Sequence, residues 1–311
     1  MKLFCKNAAE DVKRMLKRMI SLLLCALLGA FLVPAFAQED VPVLIDRIGD
    51  PQAHADFAFA QDAPLLEVVF PQILNCDAIF LRCGGETMLV DCATQGQAKR
   101  IINMCAQLGI TRIDRVVNTH PHEDHIGGFR DLIKEVEVGE LWICFPEDYN
   151  DHMSKAVGYA EKAGIPVVHY ADGDTLTLGG ATLEVWKLEG KLSEMNDCSA
   201  QFYVTFGERT FLMTADLEKT GQQKHVELKG AALRADILKY PHHGLEKLTE
   251  EYAAAVSARY FVVTNNQRST EGLKYIRRGD VPCAWTVPGL VTLTTDGATW
   301  VVDRVPSEVK Y

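Results

Sequence analysis

The stretch that decides the fold is Asn118-Thr119-His120-Pro121-His122-Glu123-Asp124-His125-Ile126-Gly127-Gly128. It follows an apolar run, Ile113 to Val117, that is typical of a strand. Gly127 and Gly128 let the backbone turn into a helix that we predict to begin near Phe129. A tight loop at a strand end can aim several imidazole and carboxylate groups at one point. Such a donor set suits zinc, iron or manganese better than calcium or magnesium, so the stretch predicts a metal site.

The alternative for this stretch is a polar surface loop that happens to contain histidine. Clustering argues against it, because five of the nine histidines lie either here or at His242-His243. The letters T-H-P-H-E-D-H-I-G-G resemble the T-H-x-H-x-D-H-x-G-G signature of the metallo-β-lactamase-fold hydrolases. This resemblance implies an α/β (α+β) fold, a four-layer αββα sandwich, and a hydrolase that uses a metal-activated hydroxide. It implies two divalent ions, with zinc as the first expectation and manganese or iron as alternatives.

Two aspartates at strand ends match the family order. Asp91 ends Leu89-Val90-Asp91-Cys92-Ala93, where the family has L-I-D-T-G, and the resemblance implies that it orients metal ligands. A cap at the strand end is the alternative. Asp216 ends Phe211-Leu212-Met213-Thr214-Ala215-Asp216, which resembles F-L-L-T-G-D. There the resemblance implies a carboxylate that bridges two ions at a separation of about 3.5–4 Å; a cap for a helix near Thr220 is the alternative.

A histidine pair follows a third strand. Lys239-Tyr240-Pro241-His242-His243-Gly244 resembles the L-K-V-P-H-H-G-S segment of the ComEC-like subgroup. The resemblance implies metal ligands at His120, His122, Asp124, His125, Asp216 and His242, and catalytic roles for Asp124 and His243. Which member of the pair binds metal and which acts in proton transfer stays open from sequence alone.

One position departs from the wider family. Many members carry a third histidine for the first metal, but here that region reads Met195-Asn196-Asp197-Cys198-Ser199. The ComEC-like subgroup has N-N-N-S at this place. We therefore expect the first ion to rest on His120, His122 and Asp216, with water or Asp197 completing the site. His169 lies in a strand-like run and is predicted to pack in the core, and three more histidines are predicted to be solvated: His54, His152 and His225.

The chain is expected to divide into three parts. Basic residues precede the apolar run Met19 to Val33, and Ala35-Phe36-Ala37 resembles a cleavage site, so residues 1–37 are predicted to be a secretory signal peptide. An uncleaved anchor helix is the alternative. Residues 38–64 are predicted to be an extended lead-in, and residues 65–311 the hydrolase domain. No later segment is apolar enough to span a bilayer, so we expect a secreted or cell-envelope protein without membrane contact after cleavage.

The predicted secondary structure of the domain consists of a β-rich half with helices, followed by a second half of the same kind. A hairpin is predicted across Cys83-Gly84-Gly85 and another through Asp296-Gly297. Helices are predicted at 97–108, 129–136, 152–163, 220–228 and 249–256, between strands that include Leu141 to Cys144 and Ile237 to Lys239. Export would permit disulfide bonds between the cysteines. No C-x-x-C pair occurs, however, and several cysteines lie in apolar runs typical of buried free thiols.

Charge narrows the substrate class. The net charge is -10, and the signal segment carries six basic residues against Glu10 and Asp11, so the exported chain is more acidic still. An acidic surface repels a phosphate backbone, so we expect no dedicated nucleic-acid surface. The ComEC-like resemblance implies phosphodiester cleavage, on a small-molecule or cell-envelope phosphoester. The alternatives are a β-lactamase or lactonase on the same fold, disfavoured by the missing histidine, and a non-catalytic metal-binding module, disfavoured because the ligands are retained.

Overall fold

The computed structural model describes residues 42–190, 195–266 and 272–305. The predicted signal peptide lies outside these residues. Among the residues described, no helix is both long enough and apolar enough to cross a bilayer.

Two sheets form the centre of the molecule, and their strands are numbered along the chain. The first sheet has nine described strands: β1 (Leu44–Asp46), β2 (Leu66–Phe70), β3 (Ile79–Cys83), β4 (Glu86–Val90), β5 (Arg112–Asn118), β6 (Glu137–Ile143), β7 (Val167–His169), β15 (Leu290–Thr295) and β16 (Trp300–Val305). Their spatial order is β1-β16-β15-β2-β3-β4-β5-β6-β7. Strands β4 to β7 run parallel, whereas β2, β3 and β4 are antiparallel neighbours.

The second sheet has seven described strands: β8 (Thr175–Leu178), β9 (Ala181–Trp186), β10 (Gln201–Phe206), β11 (Arg209–Met213), β12 (Ile237–Lys239), β13 (Tyr260–Val263) and β14 (Cys283–Trp285). They are arranged in the order β14-β13-β12-β11-β10-β9-β8. Strands β11 to β14 run parallel, so the loops after β11, β12 and β13 leave the sheet at the same edge.

Helices cover the outer faces of both sheets. They are α1 (Ala98–Gln107), α2 (Glu123–Ile126), α3 (Phe129–Glu135), α4 (Asp151–Ala163), α5 (Lys219–Lys229) and α6 (Glu250–Val256). One buried cluster lies between the sheets and joins Val68 of β2 to Phe202 of β10. A second packs α1, α3 and α4 on the first sheet, and a third packs α6 on the second sheet. The predicted α/β sandwich with αββα layers is confirmed.

Most predicted elements are present, and the exceptions have physical reasons. Strand β6 begins at Glu137 rather than Leu141, because its first half alternates between buried and accessible positions and lacks a continuous apolar run. Strand β1 lies inside the predicted lead-in and pairs in parallel with β16 at the other end of the domain. Its three residues carry no local signal that would reveal so distant a partner. Strand β14 is equally short and was also not predicted.

Strand ends gather the polar loops at one place. Asp91 follows β4 and His120 follows β5, and these two strands are parallel neighbours. Asp216 follows β11 and His243 follows β12, which are parallel neighbours in the second sheet. Ligand sites in α/β sheets commonly lie beyond the carboxyl ends of parallel strands. The fold thus brings side chains distant in sequence to one edge of the sandwich.

Candidate metal centre

Neighbouring loops hold the histidine loop by its backbone. Short helix α2 begins after His122 and carries Asp124 and His125 in a single turn. The amide of Cys92 donates to the carbonyl of His125 over 2.8 Å, and the amide of Asp77 donates to the carbonyl of Asp124 over 3.3 Å. These bonds fix Asp124 and His125 before any side-chain contact is considered.

Asp216 lies at the centre of the histidines. Its side chain is 1 % exposed. Its Oδ2 atom lies 3.1 Å from His125 Nε2 and 3.8 Å from His120 Nε2. Its Oδ1 atom lies 3.2 Å from His243 Nε2. One carboxylate therefore faces ring nitrogens contributed by three different positions of two loops.

Two groups of ligand-type atoms share Asp216. His120, His122 and Asp216 form the first group, and Asp77, His125, Asp216 and His243 form the second. Within the described residues, four buried atoms of the second group have no hydrogen-bond partner: both Asp216 oxygens, His125 Nε2 and His243 Nε2. Buried polar groups are normally satisfied, so an unsatisfied set that converges on one point fits a bound cation. Imidazole nitrogen with carboxylate oxygen is a donor set suited to a transition metal.

Asp91 fixes the orientation of His125. Its Oδ2 atom lies 2.7 Å from His125 Nδ1 and accepts from the Thr119 hydroxyl over 2.7 Å. Its Oδ1 atom accepts from the Thr119 amide over 2.8 Å and from Asn118 Nδ2 over 3.0 Å. A proton held on Nδ1 leaves the Nε2 lone pair free to bind a cation on the side where Asp216 lies. The role implied for Asp91, orientation rather than strand capping, matches these contacts.

Asp77 does the same for His243, and the sequence did not reveal it. Its Oδ1 atom lies 3.1 Å from His243 Nδ1 and accepts from the Thr264 hydroxyl over 2.8 Å. Because Asp77 approaches the Nδ1 side, it lies on the opposite edge of the ring from Nε2. Asp124 occupies the Nε2 side, with Oδ2 3.5 Å from that nitrogen. Asp124 is therefore the carboxylate placed to bind the same metal ion as His243.

The two members of the histidine pair differ in burial and in their distance from Asp216. His243 is fully buried, and its Nε2 faces Asp216. His242 has a side chain that is 21 % exposed, and its Nε2 lies 3.5 Å from Asp216 Oδ2. Both residues have positive φ, 46° for His242 and 53° for His243. The geometry thus favours His243, rather than His242, as a ligand.

The sequence profile of the Metallo-beta-lactamase superfamily matches residues 72–260. The chain belongs to this superfamily. ComE operon protein 3 of Bacillus subtilis is 28 % identical over 159 residues, which cover 49 % of this chain and 20 % of that protein. Competence protein ComA of Neisseria gonorrhoeae is 25 % identical over 190 residues, covering 58 % of this chain and 25 % of that protein. These similarities confirm the ComEC-like resemblance, although the chain spans only a quarter or less of these relatives' length.

A solved structure with the same fold is the E377D mutant of the β-hydroxylase CmlA. It has a TM-score of 0.50 and 18 % identity, and the similarity covers 77 % of this chain and 55 % of that one. At this level of identity the likeness concerns the fold alone.

Asp197 does not complete the first group in this superfamily member. Its Oδ1 atom accepts from the backbone amides of Glu218 and Gly221, over 3.0 Å and 2.9 Å. Asp197 therefore caps the start of α5, and of the two groups expected to complete the first site, water or Asp197, these contacts favour water. Asn196 instead donates from Nδ2 to Glu218 Oε1 over 2.7 Å, and that oxygen lies 3.6 Å from His242 Nδ1. Glu218 therefore borders the site.

Two other histidine predictions are wrong. His169 was expected in the core, but its side chain is 54 % exposed and pairs with Glu147. Strand β7 is a sheet edge, so its residues reach solvent. His225 was expected to be solvated, but it is 1 % exposed, with Nε2 2.5 Å from Gln201 Nε2. The mostly polar sequence of α5 gives no clear apolar pattern, although Gly221, Gln222 and His225 are buried. His54 and His152 are exposed, as predicted.

Charges within the site differ between neighbouring histidines. Burial lowers the pKa of His120 well below its usual value, and the nearby His125 lowers it further. Burial also opposes protonation of His125, but Asp216 and Asp91 raise the pKa of that ring well above its usual value. For His243, Asp216 and Asp77 overcome burial in the same way and raise the pKa to about 10. The carboxylates thus concentrate negative charge at this centre. Such a centre favours positive charge, whether a proton on an imidazole ring or a bound metal ion.

Backbone strain is concentrated at this centre. Five non-glycine residues of its loops have positive φ: Asp91, Ala93, Ala215, His242 and His243. Such conformations cost roughly 1–3 kcal/mol each and are found where the surrounding structure holds a functional group in place. The clustering supports a site selected for geometry rather than for stability.

Proposed function

We propose that this protein is a two-metal hydrolase that cleaves phosphodiesters. The observation that carries the proposal is Asp216, whose buried carboxylate belongs to both ligand groups. A single carboxylate shared by two sets of imidazoles is the arrangement expected for a bridging ligand. His120, His122 and Asp216 would hold the first ion, and Asp124, His125, Asp216 and His243 the second.

Two divalent ions, when bound, supply a hydroxide nucleophile near neutral pH and stabilise negative charge on the leaving oxygen. The protein's own part is to fix the ligands. Asp91 holds His125 and Asp77 holds His243, each through Nδ1. Zinc is the proposed metal, since this donor set is common for zinc, and manganese and iron are the alternatives.

His242 is proposed as the proton-transfer group. It is the partly exposed member of the pair and lies between Asp216 and Glu218. That position lets a substrate oxygen reach it from solvent while Glu218 limits its orientation. This assignment exchanges the roles first predicted for His242 and His243.

The phosphodiester class rests on the similarity to the ComEC-like relatives and on the Lys239-to-Gly244 motif. The net charge of -10 favours a small or cell-envelope phosphoester over long nucleic acid. A lactonase or β-lactamase remains the comparison, and it is disfavoured because the region 195–199 offers no histidine to the first group.

A hydrolysis screen on metal-analysed protein tests the function. The panel contains a chromogenic phosphodiester, a phosphomonoester, a lactone and a β-lactam. We expect the phosphodiester to be hydrolysed fastest and a chelator to abolish the rate. Faster lactone or β-lactam hydrolysis would overturn the substrate class, and a protein without stoichiometric metal would overturn the enzyme itself.

Export is part of the proposal. It rests on the basic segment, the apolar run and Ala35-Phe36-Ala37 in the first 37 residues. Intact-mass analysis of the exported protein should give a chain that begins at or near Gln38. Exported protein that retains residues 1–37 would contradict cleavage.

A further inference from the structure

Lys239 is a fully buried lysine at the end of β12. Its strand, Ile237–Lys239, is buried at every position, and the Lys239 side chain is 0 % exposed. Lysine is almost never fully buried unless its charge is paired. A charge inside so short and apolar a strand needs a reason.

Its ammonium joins separate parts of the metal centre. Nζ forms an ion pair with Asp77 Oδ2 and donates to the carbonyl of Ala215 over 2.9 Å. It also lies 4.0 Å from Asp216 Oδ1. The segments before β3 and after β11 thus meet at a nitrogen carried by the last residue of β12.

Each contact bears on a ligand-type residue. Asp77 uses its other oxygen to hold His243 Nδ1, so fixing Asp77 fixes the His243 ring. Ala215 has a φ of 46° and immediately precedes Asp216, so the bond to its carbonyl holds the strained turn that presents Asp216. Burial alone would raise the pKa of Asp77, whereas Lys239 and His243 lower it below its usual range.

We infer that Lys239 is a positioning residue for the second metal: through Asp77 and Ala215 it aligns His243 and Asp216 without itself binding the ion. The inference rests on the proposed two-metal function. A compact ammonium with three donors suits three surrounding oxygens, which a flat guanidinium would not match. The first ion depends less on Lys239, because His120 and His122 have no contact with it or with Asp77 among the contacts described.

Zinc titration of the full-length metal-free protein tests this. Lys239→Met should weaken the second zinc about 10–100-fold, the usual effect of losing a group that orients a ligand. The first zinc should weaken distinctly less, because it shares only Asp216 with the second. Asp77→Asn, which keeps the shape but not the charge, should weaken the second zinc as well. Lys134→Met is the matched control, since that lysine is exposed and pairs with Asp131 on the surface, and both affinities should stay unchanged.

The double variant separates positioning from a general loss of structure. Lys239 and Asp77 act through the same ring, so Lys239→Met/Asp77→Asn should weaken the second ion no more than the worse single change. The Nδ1 proton signal of His243 should shift in both single variants. Lys239→Arg should restore the affinity only in part.

Different results would overturn the proposed function and the inference about Lys239. Wild-type protein without stoichiometric zinc would overturn the proposed function. Two zinc ions bound with wild-type affinity in Lys239→Met and Asp77→Asn would overturn the inference while leaving that function intact. Equal weakening of both ions, or additive losses in the double variant, would show that Lys239 only supports the fold. If Lys239→Met does not fold, Asp77→Asn decides alone, and wild-type affinity in that variant overturns the inference.

Discussion

Asp216 is the residue on which both ligand groups depend. His120 belongs to the first group alone, whereas Asp216 belongs to both groups and faces His125 and His243. Asp216→Ala should therefore lose both ions, and His120→Ala should lose mainly one. Metal content per folded chain, with circular dichroism as the check on folding, measures the difference. Comparable metal content in the two variants would contradict a bridging carboxylate.

His225 makes stability depend on pH at a distance from the metal centre. Its Nε2 lies 2.5 Å from Nε2 of Gln201, whose Oε1 accepts from the Tyr252 hydroxyl. Burial, followed by the charge of Lys229, lowers the pKa of His225 from 6.5 to about 4, against an opposing effect of Asp172. The unfolded chain thus binds a proton more readily than the folded one. The contribution of the neutral, buried His225 to the free energy of unfolding is fully present above pH 6.5. This contribution falls as the pH drops toward about 4.

Urea unfolding of wild type and His225→Gln at several pH values measures this effect. Within that window the stability advantage of the wild type should shrink by up to about 1.4 kcal/mol per pH unit. The comparison cancels contributions from the metal-site histidines, which both proteins share. A stability difference that does not change with pH would be inconsistent with a buried neutral His225.

At the scale of elements, the sequence predicted those features that depend on neighbouring residues along the chain. The hairpins, the main helices and the loop from Asn118 to Gly128 follow from glycine positions, apolar period and strand-end chemistry. Strand β1 and the ion pair of Asp77 with Lys239 did not, because their partners lie far along the chain. An aspartate after Cys76 looks like any loop residue. The charged end of Ile237–Lys239 was the one available signal, since charge in a buried strand calls for a partner.

The junction between α2 and α3 is a second test at this scale. A Cβ atom on Gly128 would lie 2.0 Å from the carbonyl oxygen of Cys92, so the loop after β4 and the histidine loop could not keep their approach. Gly128→Ala should destabilise the protein by about 1–3 kcal/mol and weaken metal binding. Gly158→Ala is the control, because that position in α4 has open space and should gain about 0.5–1 kcal/mol. Thermal unfolding and zinc titration report both, and an unaffected Gly128→Ala would show that the junction tolerates a shift.

Over the whole molecule, both sheets contribute residues to the metal centre. The first sheet presents His120, His122, Asp124 and His125, and the second presents Asp216 and His243. Residues from both sheets fill the cluster between them, so the relative position of the halves is set by packing. The first group has fewer protein ligands than the second, because Asp197 is used as a helix cap. The first ion should accordingly be the weaker one.

The measurement that tests the central claim most directly is a metal titration of the apoprotein, followed together with hydrolysis of a chromogenic phosphodiester. We predict two ions per chain bound with unequal affinity, and activity that appears only as the weaker ion, the one held by His120, His122 and Asp216, binds, since both ions are needed to hold nucleophile and leaving group in line. Full activity at one ion per chain, or two ions of indistinguishable affinity, would contradict this account.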